Sequence, residues 1–64
     1  MNNKEEFKFK VGQKVVKKTG YKFPGIIVCC YHTLSGKARY VVECTAEDVA
    51  GCQHIFNADQ LNEL

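Results

Sequence analysis

Two short motifs with the same spacing carry side chains that could bind a metal or act as nucleophile and base. Cys30-x-His32 and Cys52-x-His54 each place a thiol and an imidazole on one face of a strand. The full set of such residues is Cys29, Cys30, His32, Cys44, Cys52 and His54. Zinc prefers four ligands of these types in a tetrahedron. Alternate residues of a flat strand form a poor tetrahedral cage, and there is no Cys-x-x-Cys pair. We therefore predict ordinary thiols and histidines, with no metal site.

A thiol beside an imidazole is also the pair required for nucleophilic catalysis, with His32 or His54 as the base. The sequence indicates no third group that would orient either ring. A chain of 64 residues also has little surface from which one subunit could build a water-excluded cleft. We therefore assign no catalytic residue from this pairing.

The lysines are concentrated in the first third of the chain. They are Lys4, Lys8, Lys10, Lys14, Lys17, Lys18 and Lys22. The aromatic residues Tyr21 and Phe23 lie beside the last of them, and this mixture suits single-stranded nucleic acid or the phosphates of a nucleotide. The alternative is a solvated loop whose aromatic residues close one end of the fold, since surface lysines are common. The net charge of +2 is too small to decide between the two.

Length and composition limit the architecture to one small domain. A domain of about this size buries roughly 60% of the surface that its unfolded chain exposes, so disulfides, a metal or a partner usually supplement the core. Residues 1–6 are polar and lack the apolar run of a secretion signal. No stretch approaches the roughly 20 apolar residues of a membrane helix. We expect a cytoplasmic protein with its four cysteines reduced and no membrane partner.

The elements that must position these side chains are short strands. Alternating or β-branched apolar residues predict strands at 14–18, 26–31, 39–44 and 53–56, and a strand or extended arm at 7–11. Residues 26–31 are apolar on both faces, which indicates cover by the core on one side and by a partner subunit on the other. Asn57 and Gln60 have the spacing of a capping box that begins a single helical turn.

Strands of this length and spacing, joined by turns that contain glycine, are typical of an all-β fold. We predict a small five-stranded SH3-like barrel at residues 9–64, with a short C-terminal helical turn and a flexible N-terminal arm at 1–8. The predicted core consists of Val15, Ile27, Val28, Tyr40, Val42, Ile55 and Leu61.

A longer set of residues resembles a known family. The block Gly12-x-x-Val15-x-Lys17-Lys18-Thr19-Gly20 is followed at fixed distances by Phe23, Gly25, Ile27-Val28, Tyr31-x-Thr33, Tyr40-x-Val42-Glu43 and His54-Ile55-Phe56. From about residue 9 to residue 61 this spacing resembles the type II dihydrofolate reductases, the plasmid- and integron-borne, trimethoprim-insensitive family.

The resemblance implies a shared ligand site. In that family, four identical SH3-like subunits surround one pore that binds NADPH and dihydrofolate together. Carried over by position, the pore-lining residues here are Lys17, Gln53, His54, Ile55 and Phe56, with Ile55 offering backbone groups. His54 stands where the family has glutamine, Phe56 where it has tyrosine and Gln53 where it has valine. Phe23 and Cys30 occupy the positions of tryptophans at subunit contacts.

We therefore expect a homotetramer or homodimer that binds a nucleotide or dinucleotide-type ligand in a shared pore. NADPH is the expected cofactor, and NADPH-dependent dihydrofolate reductase activity is the enzymatic form of this hypothesis. Two alternatives stay open. The first is a non-enzymatic protein- or nucleic-acid-interaction module from a mobile element or phage. The second is a structural or regulatory protein of a mobile element without a small ligand.

Overall fold

The computed structural model describes residues 4–64 and confirms a small all-β protein. Its strands are β1 (Lys14–Lys17), β2 (Pro24–His32), β3 (Ala38–Cys44), β4 (Gln53–Phe56) and β5 (Leu61–Glu63). They form one antiparallel sheet in the order β4-β3-β2-β1-β5. Strands β4 and β5 are the two edges and do not pair with each other, so closure into a barrel stays a prediction.

The first and last strands differ from the sequence prediction. Residues 7–11 form no strand, and the fifth strand is Leu61–Glu63 instead. Leu61 is buried, and its strand runs antiparallel to β1 with Leu61 opposite Lys17. The predicted helical turn before it is present as the single 3-10 turn Ala58–Gln60, where the Asn57 N–H donates to Gln60 Oε1 at 3.0 Å. A second 3-10 turn, Glu47–Val49, interrupts the loop before β4.

Gly25 sits where the sheet is most crowded. It pairs with Val15 of β1 on one side and with Cys44 of β3 on the other. A Cβ at this position would lie 2.4 Å from the carbonyl oxygen of Glu43 and 2.6 Å from Cγ1 of Val42. Only glycine therefore lets β2 pass this close to β3 while it also pairs with β1.

The core lies on one side of the sheet. It contains Phe9, Val15, Phe23, Ile27, Ala38, Tyr40, Val42, Cys44, Phe56 and Leu61. Five of the seven predicted core residues are among them, but Val28 and Ile55 are 40% and 59% exposed, so their assignment was wrong. A β-bulge explains Val28, because the register of β2 shifts between Ile27 and Cys29 and leaves Val28 between two successive partners.

The opposite side of the sheet is the outer face. We define it by the cross-strand partners that alternate with the core residues: Lys14, Val16, Ile26, Cys29, Tyr31, Arg39, Val41, Glu43, Gln53 and Ile55. None of these side chains is buried in the described part of the chain. Residues 26–31 were expected to be apolar toward both sides, and the strand does present Ile27 and Cys30 to the inner side and Ile26, Cys29 and Tyr31 to the outer face.

The segment that precedes the sheet is fastened to the β2–β3 hairpin. The Glu5 N–H donates to the carbonyl of Gly36 at 2.9 Å, and Glu5 Oε1 accepts the Ala38 N–H at 2.8 Å. The Lys8 N–H donates to the hydroxyl of Tyr40 at 2.8 Å. We call residues 5–9 the N-terminal segment. Of the predicted flexible arm at 1–8, residues 1–3 lie outside the described residues.

Candidate ligand-binding site

Two strands and the loop between β1 and β2 bring some of the predicted pore-lining residues together within one chain. Lys17 ends β1, Tyr21 and Phe23 follow in the next loop, and His54 and Phe56 lie on β4. We call these five residues the aromatic cluster. His54 and Phe56 share one face of β4 because alternate residues of a strand point the same way. Their partners on β3, Val42 and Tyr40, belong to the core, so this is the inner face.

His54 is the centre of the cluster. Its ring stacks on Phe23 with centroids 4.7 Å apart and planes inclined by 30°. Its Nδ1 is hydrogen-bonded to the hydroxyl of Tyr21 at 3.1 Å, and the Tyr21 ring meets it edge-on at 6.0 Å. The His54 side chain nevertheless remains exposed. The ring is therefore held in a fixed orientation at the surface, which is the condition for stacking against a planar ligand.

Lys17 places a positive charge at the edge of this ring system. Its Nζ lies 4.6 Å from the centroid of Tyr21, a cation–π distance, and also donates to the carbonyl of Thr19. The loop folds over the ammonium at Gly20, where φ is +80° and a Cβ would lie 3.0 Å from Nζ. Lys17, Tyr21 and His54 thus form a continuous cation–aromatic surface.

Phe23 and Phe56 support this surface from within. They are 4% and 3% exposed, and their ring centroids are 5.4 Å apart. Phe56 was expected to face the ligand, and in the single chain its ring is covered. Phe23 was expected at a subunit contact, and in the single chain its ring stacks against the ring of His54. Both residues therefore hold the exposed members of the cluster in place.

Gln53 and Ile55 belong to the outer face instead. Gln53 Nε2 donates to Glu43 Oε1 at 2.9 Å, and Ile55 is paired with Val41. Their backbone groups point away from β3. The Cys44 N–H donates to the carbonyl of Cys52, so His54 and Phe56, which follow Cys52 at alternate positions, direct their backbone groups to β3. The N–H and C=O of Gln53 and Ile55 therefore face the open edge of β4, and the backbone role implied for Ile55 stays a prediction.

Cys30 is not a member of the cluster. It pairs with Tyr40 from the β2 side, whereas Phe56 pairs with Tyr40 from the β4 side, and the Cys30 Sγ–H donates to the carbonyl of Phe9 at 3.7 Å. Burial raises the pKa of the Cys30 thiol, and the neighbouring Cys29 raises it further. A raised pKa disfavours the thiolate, so this thiol is a poor nucleophile at neutral pH.

The two Cys-x-His motifs are not brought together. One lies on β2, the other runs from Cys52 into β4, and β3 lies between β2 and β4. His32 Nε2–H donates to the carbonyl of Glu5 at 2.7 Å. Within residues 4–64, no three side chains of histidine, cysteine, aspartate or glutamate converge as a metal site would require. All four cysteines are free thiols.

A cavity of about 640 Å³ opens elsewhere, beside the N-terminal segment. Its lining includes Glu5, Lys8, Lys37, Arg39 and Asp59, and no member of the aromatic cluster. Both positive and negative side chains line it, and Lys37 Nζ lies 3.7 Å from Glu5 Oε2. Because these charges offset each other, the cavity offers less attraction to an anion than the cluster does.

Sequence reasoning identified Lys17, His54 and Phe56, but it did not connect them with Tyr21. The signal was present, since Tyr21 and Phe23 alternate in the lysine-rich loop as residues of one face do. Their contact with β4 is long-range, 33 residues along the chain for Tyr21 and His54. Local pattern cannot reveal such a contact.

The fold and the cluster define a small five-stranded all-β domain with an exposed cation–aromatic surface. No protein-family model matches the sequence, and no curated protein matches it. No helix in the described range 4–64 is long and apolar enough to cross a membrane.

Proposed function

We propose that the chain is a ligand-binding oligomer whose aromatic cluster takes a nucleotide or dinucleotide-type ligand, with NADPH as the leading candidate. The observation that supports this most directly is the His54 ring, which is stacked on Phe23, hydrogen-bonded to Tyr21 and still exposed. A preorganised ring of this kind loses little conformational entropy when a second ring stacks on it. The adenine, nicotinamide and pterin rings all have a suitable flat face.

The charge beside the ring favours an anionic ligand. Lys17 lies against Tyr21, so a ligand that stacks on His54 brings its phosphates within reach of the ammonium. When a ligand binds, the Lys17 ammonium can donate to its phosphate instead of to the Thr19 carbonyl, and it thereby gains a charged partner. The contact is exposed and therefore weakens with salt.

Copies of the chain would complete the site. One cluster is a shallow surface, whereas two or four clusters around a homodimer or homotetramer enclose a pore. Such a pore catalyses hydride transfer chiefly by holding two substrates in a reactive orientation, which needs no dedicated acid. NADPH-dependent reduction of dihydrofolate is the enzymatic form of the proposal.

NADPH titration by calorimetry tests the binding site. Stacking on an aromatic ring contributes about 1–3 kcal/mol, so His54→Ala should weaken binding roughly 5- to 150-fold. Lys17→Met should weaken it and flatten its salt dependence. His32→Ala is the matched control, because His32 also stacks on a phenylalanine but lies outside the cluster. Unchanged NADPH affinity in both cluster variants would show that the site is elsewhere.

A second assay separates a reductase from a binder. Purified protein is supplied with NADPH and dihydrofolate, and cells that express it are challenged with trimethoprim. NADPH oxidation together with rescue supports the reductase. Binding with neither effect leaves a passive nucleotide-binding protein.

One observation favours the nucleic-acid alternative. Tyr21 is 54% exposed in a loop that also carries Lys18 and Lys22, and successive bases stack on such residues. Fluorescence polarisation with a labelled single-stranded oligonucleotide tests it, using Tyr21→Ala and His32→Ala as variant and control. Oligonucleotide binding that depends on Tyr21, in a protein that ignores NADPH, would select this alternative.

A further inference from the structure

The outer face carries an apolar row that crosses three strands. Cys29 of β2 pairs with Val41 of β3, and Val41 pairs with Ile55 of β4. Cys29 and Ile55 are exposed, and Val41 is half-buried. Two more apolar side chains flank the row on β2, Ile26 and Tyr31. Contiguous apolar surface of this kind typically marks an interaction site.

Opposite charges stand on either side of this row. Arg39 precedes Val41 by two residues and Glu43 follows it by two, so both share its face of β3. The two residues therefore occupy symmetric positions about Val41, where the Arg39 guanidinium also donates to the Ala38 carbonyl and the Glu43 carboxylate also accepts from Gln53. Such an arrangement is complementary to itself when one copy is turned end over end.

We propose that the outer face joins two copies of this chain, sheet against sheet, about a two-fold axis along the row Cys29–Val41–Ile55. Rotation by 180° about that axis reverses the strand direction. It places Arg39 opposite Glu43 of the second copy and Glu43 opposite its Arg39. The contact is isologous, so each ion pair occurs twice.

The charges select this axis over the other one in the sheet plane. An axis along β3 would place Arg39 opposite Arg39 and Glu43 opposite Glu43, and like charges across an interface are strongly unfavourable. The proposed axis also places Ile26 opposite Tyr31 of the second copy, because these residues pair with Glu43 and Arg39 respectively. Apolar side chains thus meet along the row and on β2, and the two ion pairs flank the row on β3.

The interface leaves the ligand site uncovered. His54 precedes Ile55 on β4 and belongs to the inner face, so docking of the outer face leaves its exposed ring accessible. The inference goes beyond the proposed function, because this contact directs the two inner faces away from each other and a shared pore would require a further interface. Association and NADPH binding are therefore measured separately.

Charge exchange tests the interface. Sedimentation equilibrium should show a wild-type dimer. Arg39→Glu and Glu43→Arg should each weaken it by at least about tenfold, because each variant faces like charges at two places. The double variant Arg39→Glu/Glu43→Arg should restore the wild-type dissociation constant within a few-fold. Lys10→Glu, an exposed charge reversal outside this face, is the control. Circular dichroism verifies that each variant is folded.

Thiol cross-linking gives an independent measurement on the wild-type chain. Facing sheets lie about 10 Å apart, too far for a disulfide between the two Cys29 residues but within reach of a short bis-maleimide. A cross-linked dimer should form, disappear in Cys29→Ser and persist in Cys52→Ser. Cys52 is also an exposed thiol but lies off the axis.

A monomeric wild type overturns the interface, as does a dimer that ignores both charge reversals and the Cys29 substitution. A monomer that still binds NADPH through His54 would support the ligand site and refute this interface. A charge-dependent dimer that ignores NADPH would establish the interface and remove the ligand proposal.

Discussion

Two histidines in this molecule stack on phenylalanine rings with nearly the same geometry. His32 and Phe7 have centroids 4.5 Å apart and planes inclined by 28°. His54 and Phe23 have centroids 4.7 Å apart and planes inclined by 30°. The stacks differ in what the histidine nitrogens contact. His32 donates to the backbone carbonyl of Glu5, whereas His54 is hydrogen-bonded to the side chain of Tyr21.

They differ also in which ring is the support. Phe7 is 42% exposed, and His32 helps to hold it and the N-terminal segment on the hairpin. Phe23 is buried against Phe56 and holds His54 at the surface. The first stack fastens a chain segment, and the second presents a ring to solvent. Stacking geometry alone therefore does not indicate function, and the remaining contacts of the histidine decide it.

The largest expected difference between the two regions is in stability. Phe23→Ala removes a buried ring and should lower the free energy of unfolding by about 3–5 kcal/mol. Phe7→Ala should cost about 1 kcal/mol, because its ring is already partly hydrated. Urea denaturation measures both. A domain of this size has a comparable total stability, so Phe23→Leu provides a folded variant with a smaller loss. Equal costs at the two positions would contradict the distinction.

A smaller difference is expected between two tyrosine hydroxyls. The Tyr40 hydroxyl accepts the Lys8 N–H from a fully buried ring, so Tyr40→Phe should cost about 1 kcal/mol. The Tyr21 hydroxyl is exposed with His54, and Tyr21→Phe should change stability by less than about 0.5 kcal/mol. Thermal unfolding of the two variants compares them. A larger loss for Tyr21→Phe would mean that the cluster contributes to stability more than the N-terminal segment does.

The smallest effect is a pH dependence confined to the N-terminal segment. The Ala38 N–H bond, and the Lys37 and Arg39 charges, lower the pKa of Glu5 below its ordinary value of 4.5. A lowered pKa means that the ionised carboxylate contributes stability above pH 4.5, and that this contribution is lost as the pH falls through the lowered pKa. The difference in unfolding free energy between wild type and Glu5→Gln should therefore be constant at neutral pH and shrink in acid. A difference that grows in acid would mean that folding raises the pKa of Glu5 instead of lowering it.

Much of the sheet could be predicted because its signals are local. The β-branched residues of β2 and β3 and the Ser35–Gly36 turn between them indicate a hairpin without knowledge of the rest. The turn forms as expected, with the Gly36 N–H donating to the Thr33 carbonyl at 2.9 Å and φ of +87° at Gly36. The Asn57 and Gln60 spacing likewise located the 3-10 turn.

The errors concern information that local pattern does not carry. Ile55 has the composition of a core residue, but its side is set by pairing with Val41, a contact between distant residues. Phe9 and Phe56 are buried because chain from elsewhere covers them. In the candidate site, the residue types and their spacing were enough to predict Lys17 and His54 as ligand-binding residues. The loop conformation that brings Tyr21 between them depends on the tertiary fold.

The bulge in β2 has a consequence for how this chain tolerates change in length. Ile27 faces inward opposite Val42, and Cys29 faces outward opposite Val41, as two adjacent residues of a regular strand would. Val28 is the extra residue between them. Its deletion would leave every later side chain of β2 on its present side, and deletion of Ile27 would instead move Val28 into the inward position opposite Val42. Relatives of this protein one residue shorter at this point would thus preserve both faces of the sheet.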